Sequence, residues 1–373
     1  MSKIKENAKF FKIYPEDESV QSGLNIFNAL KEKKTLSLSG LGERSGMSLD
    51  SVTGYVTSYV EKGVLKRTGA PDEGLIEFNA SGKKVLGIGF TDDACNLTVM
   101  NLAGNIIAKE KIAVKPFSEL KGTNKEMKEM IEKISKGTNL RAEELYFAGV
   151  AVPERVKEEN INILAGGISR LFGCGVFMAK EATAAGYGEK DFGKKTLGKD
   201  ILYMYSDIGI GTVVKGEMIF EAEGETEEKG KKYLHPWNQF SIAQTAKSLV
   251  DKGLGTDIVE AVGGNVNKIT LDIVLDAAAK KDKLAEELVK RSALALGVRV
   301  SYLANMFNTE VIVLGGGTEK KEGMFIDFVK ESTRKFLLKD LADKVDIIPA
   351  EMGKDVSSIG AASLCRRELF MEV

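Results

Sequence analysis

Apolar positions recur at helical spacing through the first 60 residues and predict three helices. Buried-type residues alternating with lysines predict an amphipathic helix over residues 21–33. A second short helix is expected to end near Gly46, from the apolar positions Leu36, Leu38, Leu41 and Met47. Ser48 is a suitable N-cap for a third helix, and Gly63 suits its C-terminal end because glycine accepts a left-handed backbone.

The segment after the third helix has the pattern of a hairpin. Two strand-like stretches, 64–67 and 75–78, flank a turn rich in Gly, Pro and Asp. Three helices with a tight turn before the third, followed by a hairpin, predict a winged helix-turn-helix over residues 19–80. Residues 1–18 are expected to form a polar N-terminal arm, without the apolar core of a signal peptide.

From residue 81 the pattern changes to a three-stranded meander followed by alternating helices and strands, and this order occurs twice. The strand-like segments are 85–90, 97–100 and 106–108 in the first meander and 201–205, 211–214 and 218–220 in the second. The duplication predicts an α/β fold of two similar lobes, 81–200 and 201–355, that close on a cleft. A final helix within 356–373 is expected to pack back on the first lobe.

Composition narrows the class of protein. Lys and Arg total 53 against 54 Asp and Glu, which excludes a globally basic nucleic-acid coat but leaves room for a local DNA-binding face. No stretch approaches the roughly 18 apolar residues of a membrane span. The three cysteines lie far apart, which argues against a disulfide framework. A soluble, cytoplasmic protein without membrane contact is therefore expected.

Four short motifs, in this order and spacing, carry a family resemblance. They are Lys180-Glu181-Ala182-Thr183-Ala184-Ala185, Gly209-Ile210-Gly211, Val313-Leu314-Gly315-Gly316-Gly317 and Gly360-Ala361-Ala362. Together with the winged helix and the duplicated core, they resemble the ROK family of repressors, open reading frames and sugar kinases. The resemblance implies the two-lobed, actin-like sugar-kinase fold. It also implies that a member with an N-terminal winged helix is a sugar-responsive transcriptional repressor.

Kinases of this family carry an Asp-x-Gly-Gly-Thr turn after the first strand. Here Gly89 stands where the family has its aspartate, and Asp92, followed by a second aspartate, puts negative charge where phosphate oxygens would lie. Like charges repel, so this loop is unfavourable for ATP. Family kinases also carry a Gly-Thr-Gly turn, of which only Gly209 and Gly211 remain here, behind Asp207 and an isoleucine.

The catalytic Asn-Asp pair of the family is replaced by Lys180 and Glu181. The extra methylene of glutamate moves the carboxylate by about an ångström, and such a shift costs roughly 10²-fold in rate. A third glycine loop, Gly315, Gly316 and Gly317, is intact, although glycines there also suit strand-to-helix packing. These changes predict a kinase-derived body that does not phosphorylate. The alternative is a residual ATP-dependent sugar kinase with Glu181 as base.

No metal or other cofactor is expected. The family's zinc site needs a histidine and three cysteines, whereas His235 is the only histidine and no cysteine lies between Cys174 and Cys365. The charged run 225–232 is expected to be a solvated loop. A small, sugar-like effector remains possible on the resemblance, and its candidate contacts are Pro153, Glu154, Lys180, Glu181 and Glu225.

The third helix is the candidate recognition helix for operator DNA. The residues expected to face the groove are Ser48, Ser51, Thr53, Gly54 and Ser58, with Lys66 and Arg67 near phosphates. Residues 1–80 hold 11 basic and 11 acidic side chains, so each module is neutral and its intrinsic affinity for DNA is expected to be low. A homodimer or higher homo-oligomer would compensate by presenting two modules. The alternative is a non-catalytic assembly protein whose winged helix binds protein.

Overall fold

The computed structural model describes residues 9–11, 17–69, 74–90, 94–113, 129, 131–134, 136–137, 140–153, 158–205, 210–216, 218–222, 225–228, 231–234, 242–317 and 323–371. The chain forms two compact units, Met1–Asp191 together with Lys354–Val373, and Phe192–Gly353. Among the described residues, no helix is both long and apolar enough to cross a membrane.

The α-helices with defined bounds are α1 (Glu18–Glu32), α2 (Leu38–Ser45), α3 (Leu49–Glu61), α4 (Glu158–Phe172), α5 (Glu181–Phe192), α6 (Ile242–Asp251), α7 (Asp257–Ala261), α8 (Leu271–Ala279), α9 (Lys283–Phe307), α10 (Met324–Phe336), α11 (Lys339–Ala342) and α12 (Val356–Glu368). The strands are β1 (Lys9–Phe10), β2 (Thr35–Ser37), β3 (Leu65–Thr68), β4 (Leu75–Phe78), β5 (Lys84–Phe90), β6 (Ala94–Met100), β7 (Ile106–Ala113), β8 (Leu145–Val152), β9 (Gly175–Lys180), β10 (Ile201–Tyr205), β11 (Ile210–Lys215), β12 (Met218–Ala222), β13 (Glu225–Glu228), β14 (Lys231–Leu234), β15 (Val311–Gly315) and β16 (Asp346–Pro349).

The N-terminal module (α1 to α3 with β2 to β4) contains the three predicted helices and a small antiparallel sheet in the order β2-β4-β3. Ser37 and Ser48 cap α2 and α3, their hydroxyls accepting from the N–H groups of Gly40 (3.1 Å) and Ser51 (3.2 Å). Gly63, at φ 73°, ends the turn after α3. The module encloses a core of apolar residues that are 1 % exposed or less: Leu24, Ile26, Phe27, Leu30, Leu41, Val52, Val56, Tyr59 and Ile76.

The placement of Leu36 in a helix was wrong. Leu36 lies in β2, opposite Ile76 of β4, and α2 begins only at Leu38. The cap explains the boundary, because the Ser37 hydroxyl accepts from the Gly40 N–H and the backbone ahead of a cap is extended. The sequence analysis recognised the apolar side chain of Leu36 but not the strand partner that it packs beside.

The first unit is built on a six-stranded sheet in the order β1-β9-β8-β5-β6-β7. Strands β5, β8 and β9 are parallel, and β6 and β7 complete the antiparallel meander. The N-terminal arm also contributes, because β1 pairs in parallel with β9 and the buried Phe11 stacks on Phe177 with ring centroids 5.4 Å apart. Helix α12 packs on β5, β6 and β8.

The second unit has a five-stranded sheet in the order β12-β11-β10-β15-β16, with β10, β15 and β16 parallel. Helices α6 to α10 supply its core, and α9 packs along α10. Asp282 caps α9, its carboxylate accepting from the Ala285 N–H at 2.8 Å, and also accepts from the Asp257 N–H at 2.9 Å. One carboxylate therefore ties the starts of two helices together.

The prediction of a loop over 225–232 was wrong for the residues that the structure describes there, 225–228 and 231–232. Strands β13 and β14 form an antiparallel hairpin in which Glu227 is opposite Lys232 and Glu228 is opposite Lys231. The acidic and basic runs, which indicated a loop when taken separately, are the two halves of this pairing.

Candidate ligand and DNA-binding sites

Several of the candidate ligand residues lie at one edge of the sheet in the first unit. Gly89 is opposite Ala151, and Val152 is opposite Lys180, so the carboxyl ends of β5, β8 and β9 meet. Pro153 follows β8 directly, and Glu181 follows Lys180 as the first residue of α5. Ligands of open α/β sheets bind outside the carboxyl ends of parallel strands, which makes this edge the candidate effector site.

Lys180 and Glu181, the candidate residues at the predicted catalytic position, are half-buried at this edge. Lys180 ends β9 and Glu181 begins α5, whose next eight residues are all buried. A carboxylate in the first turn of a helix is stabilised by the positive end of the helix dipole, and it accepts hydrogen bonds from hydroxyl groups. Glu154 and Asp92, two further candidates, lie outside the described residues, as does Gly209.

Gly89 has a packing role at the same edge. A Cβ added there would overlap the hydroxyl of Ser357 and lie 2.8 Å from the Ser358 nitrogen, both on α12. Gly87 and Gly149 approach the backbone of α12 even more closely, because a Cβ at either would overlap a carbonyl oxygen of that helix. The glycines of this sheet therefore admit a helix of the same unit, and the close approach accounts for them without a bound phosphate.

Two glycines of the second unit, Gly315 and Gly316, are covered by tyrosine side chains. A Cβ at Gly315 would overlap the Tyr203 hydroxyl, and one at Gly316 would lie 2.7 Å from Cδ1 of Tyr205. Gly316 and Gly317 also have positive φ angles of 85° and 108°. The sequence motif contains the glycines but gives no sign of the two tyrosines that cover them.

Gly211 is the remaining nucleotide-like glycine within the described residues. It pairs with Met204 across β10 and β11, and an added Cβ would lie 2.5 Å from the sulfur of that methionine. Glu225, the candidate ligand contact of this unit, is the first residue of β13. Gly89, Gly211, Gly315 and Gly316 are therefore each closely approached by side chains or backbone of their own unit.

The described residues give little support for a metal site or a reactive cysteine. The described residues contain no group of three His, Cys, Asp or Glu side chains placed to hold a metal ion. Burial raises the pKa of the Cys95 thiol to about 12 and that of Cys174 to about 11, and it raises the pKa of Cys365 well above its ordinary value. These thiols are protonated at neutral pH, and it is the thiolate that acts as nucleophile or metal ligand. His235 lies outside the described residues.

The candidate recognition helix α3 presents a polar face. Ser48, Ser51 and Gly54 are exposed, whereas Thr53 and Ser58 are half-buried. Ser48 donates to the Ser51 hydroxyl at 2.9 Å in addition to capping the helix. The first turn of α3 is thus held by its own hydroxyl groups, and Gly54 leaves a gap in the exposed face.

Two contacts made by the candidate DNA-binding residues modify the sequence prediction. Thr53 donates its hydroxyl to the Leu49 carbonyl at 2.7 Å, and Lys66 forms an ion pair with Glu77 at 2.9 Å. Arg67 is exposed on β3. Leu49, which the sequence analysis passed over, is 55 % exposed at the start of α3. An apolar residue directly after an N-cap, outside the buried stripe of the helix, is the signal that would have identified it.

Comparisons with known proteins agree with this architecture. A sequence model of the ROK family matches residues 85–368. The xylose repressor of Caldicellulosiruptor bescii is 22 % identical over 326 residues, covering 79 % of this chain and 80 % of that protein. The glucokinase of Thermotoga maritima is 22 % identical over 258 residues, covering 61 % of this chain and 81 % of that protein. A solved ROK family transcriptional regulator, a homolog of the E. coli MLC protein, superposes with a TM-score of 0.69 at 15 % identity, covering 95 % of this chain and 98 % of that one.

Proposed function

Because the chain belongs to the ROK family, we propose that it is a transcriptional repressor that binds operator DNA through residues 19–80. The observation that carries the proposal is the N-terminal module, in which a capped helix follows a tight turn and precedes a small antiparallel sheet. That is the order of elements in a winged helix-turn-helix, whose recognition helix enters the major groove. Similarity to a xylose repressor over most of the chain supports the same class of protein.

In this proposal the first half of α3 faces the bases. Ser48, Ser51, Thr53 and Ser58 supply hydroxyl groups, and Gly54 lets the helix approach the groove closely. Arg67 contacts phosphate, while Lys66 exchanges its partner Glu77 for phosphate. Since the module carries no net charge, a homodimer that presents two modules supplies the affinity that one module lacks.

The body senses a sugar or sugar-like effector and does not phosphorylate it. Pro153, Lys180 and Glu181 form the candidate effector edge, where the Glu181 carboxylate accepts hydrogen bonds from hydroxyl groups. The absence of the family's aspartate at Gly89 and the tyrosines against Gly315 and Gly316 argue against ATP turnover. The effector acts by a population shift, because it binds more tightly to a state with low affinity for DNA.

Fluorescence anisotropy with DNA from upstream of the protein's own gene tests the repressor. Binding at low and at physiological salt is compared with binding to a scrambled duplex of the same length. Saturable, sequence-selective binding that persists at physiological salt is expected. Equal, salt-sensitive binding to both duplexes would favour the assembly protein, and no binding at either salt would contradict autoregulation.

The effector and the enzyme alternative are tested together. D-xylose and D-glucose are added to the DNA complex, and ADP release is followed with each sugar and MgATP. One sugar is expected to weaken DNA binding by the native chain and not by Glu181→Gln, without ADP release. Turnover of ATP that disappears in Glu181→Gln would establish the kinase and overturn the non-catalytic body.

A further inference from the structure

Three elements of the first unit meet at the carboxylate of Asp191, the penultimate residue of α5. Lys31 of α1 forms an ion pair with one carboxylate oxygen, and Ser363 of α12 donates to the other. Burial by itself raises the pKa of Asp191, yet the charges of Lys31 and Arg366 and the hydrogen bonds hold that pKa below its ordinary value. The Lys31 ammonium also lies 5.8 Å from the centroid of the Tyr187 ring. Asp191 is therefore an ionised, buried link between the body and the N-terminal module.

Beside this charged group, an aromatic cluster packs the N-terminal module against the residues that follow α12. Phe370, just after α12, contacts Phe27, Tyr59 and Phe78 with ring centroids 5.2, 4.6 and 5.8 Å away. The Tyr59 hydroxyl, on α3, donates to the Phe370 carbonyl at 3.1 Å. The Arg366 guanidinium lies 5.5 Å from the rings of both Phe27 and Phe78. The candidate recognition helix is thus packed on the chain's C-terminal segment.

Helix α5 joins this junction to the effector edge. Glu181 is its first residue and Asp191 its eleventh, which places them about 15 Å apart along the helix axis. The helix is packed closely against α12, because Gly360 of α12 contacts the Ala184 carbonyl and a Cβ at Gly188 would lie 2.7 Å from the Val356 carbonyl oxygen. Close backbone packing of this kind transmits displacement as a rigid body.

We propose that Asp191 is a positioning residue that couples the effector edge to the DNA-binding module through α5. The inference rests on the proposed function for its biological meaning. Movement of the Glu181 end of α5 displaces Asp191, and Lys31 and α1 move with it. Because coupling between two sites is reciprocal, a substitution at Asp191 changes the conformational free energy at the Glu181 end by the same coupling free energy.

Hydrogen–deuterium exchange of the full chain without DNA tests the coupling. Asp191→Asn removes the charge and keeps the shape. Exchange is expected to rise by on the order of tenfold in two places, α1 and the first two turns of α5. Tyr146→Phe is the matched control, because Tyr146 donates to the Lys62 carbonyl at 2.8 Å and so also fastens the module to the body, away from α5. It is expected to change exchange at the end of α3 and leave the first turns of α5 unchanged.

Lys31→Met provides a second variant if Asp191→Asn does not fold, since it leaves Ser363 and Arg366 to hold Asp191. It is expected to give the same two changes, whereas Lys31→Arg keeps the ion pair and restores native exchange. Faster exchange in α1 alone would overturn the proposal and reduce Asp191 to a local fastening. The exchange experiment contains no DNA, so its result does not depend on operator binding. If the native chain failed to bind operator, the proposed function would be contradicted, whereas the coupling between α1 and α5 measured by exchange would still hold.

Discussion

Two regions of the first unit contain glycines in opposite environments, one tightly packed against backbone and the other open. Where α12 crosses α5 and the sheet, Gly360, Gly87 and Gly149 lie so close to neighbouring backbone that an added Cβ would overlap it. On α3, an added Cβ at Gly54 would meet no atom within 4 Å, and Gly54 lies mid-helix without a positive φ. The fold explains the first group. An exposed mid-helix glycine costs stability, and packing within the described residues does not account for Gly54.

The glycines of the second unit are intermediate between these cases. Gly315 is opposed by the ring of buried Tyr203, and Gly211 by the flexible side chain of Met204. The group that an added Cβ would meet is backbone at Gly360, a rigid aromatic ring at Gly315 and a methionine side chain with several rotatable bonds at Gly211. The cost of a methyl group at each position is therefore expected to fall in that order.

The largest effect is expected for Gly360→Ala. The new methyl group would overlap the Ala184 carbonyl, and separating α5 from α12 would disturb the packing of α12 on the sheet. We expect a loss of about 3 kcal/mol or more in the free energy of unfolding, measured by urea denaturation. Gly166→Ala on α4 is the control, because an added Cβ there would come no nearer than 4.0 Å to the guanidinium of Arg170. A loss below about 1 kcal/mol for Gly360→Ala would show that the two helices can separate at little cost.

Gly315→Ala is expected to cost about 2 kcal/mol, because the buried ring of Tyr203 has little freedom to move. Tyr203→Phe removes the hydroxyl that the new methyl group would overlap but leaves Cζ at 2.6 Å. The double variant is therefore expected to recover part of the loss in a double-mutant cycle. Strictly additive losses would mean that the tyrosine does not oppose the glycine.

Gly211→Ala is expected to cost less than about 1 kcal/mol, since Met204 can adopt another rotamer. Gly211→Ala combined with Met204→Leu, a nearly volume-conserving change, provides the comparison. Urea denaturation of the single and double variants gives the two losses. If Gly211→Ala proved as costly as Gly360→Ala, flexibility of the opposing group would not govern the ranking.

Much of the fold was predictable because it depends on local pattern. Apolar periodicity and capping residues predicted α1 and α3, and the duplicated meander predicted both sheets. Strand β2 and the hairpin of β13 and β14 were not predicted, because a short strand is recognised only together with the strand that pairs with it. The family named from four short motifs is confirmed by the match over residues 85–368.

The candidate sites were less accessible to sequence reasoning. The motif predicted from the sequence contains Lys180 and Glu181, and the fold places both at the carboxyl end of the parallel strands, close to Pro153. Nothing in the sequence joins Lys31 to Asp191, because they are 160 positions apart and each resembles an ordinary surface charge. A glycine that allows close approach of a ligand also cannot be distinguished by sequence from one that allows close approach of a helix, because the neighbouring residues are of the same kind in both cases.

Gly54→Ala gives the smallest change in stability and the sharpest test of the comparison, because its two readouts are expected to move in opposite directions. Alanine favours the helix, so the free energy of unfolding is expected to rise by up to about 1 kcal/mol. If Gly54 admits the DNA backbone or bases, the same methyl group lowers affinity for the operator by roughly tenfold in fluorescence anisotropy. Gly166→Ala, similarly unobstructed on α4, is expected to leave DNA affinity unchanged. A variant that is more stable and binds DNA as well as the native chain would remove close approach to DNA as the reason for Gly54.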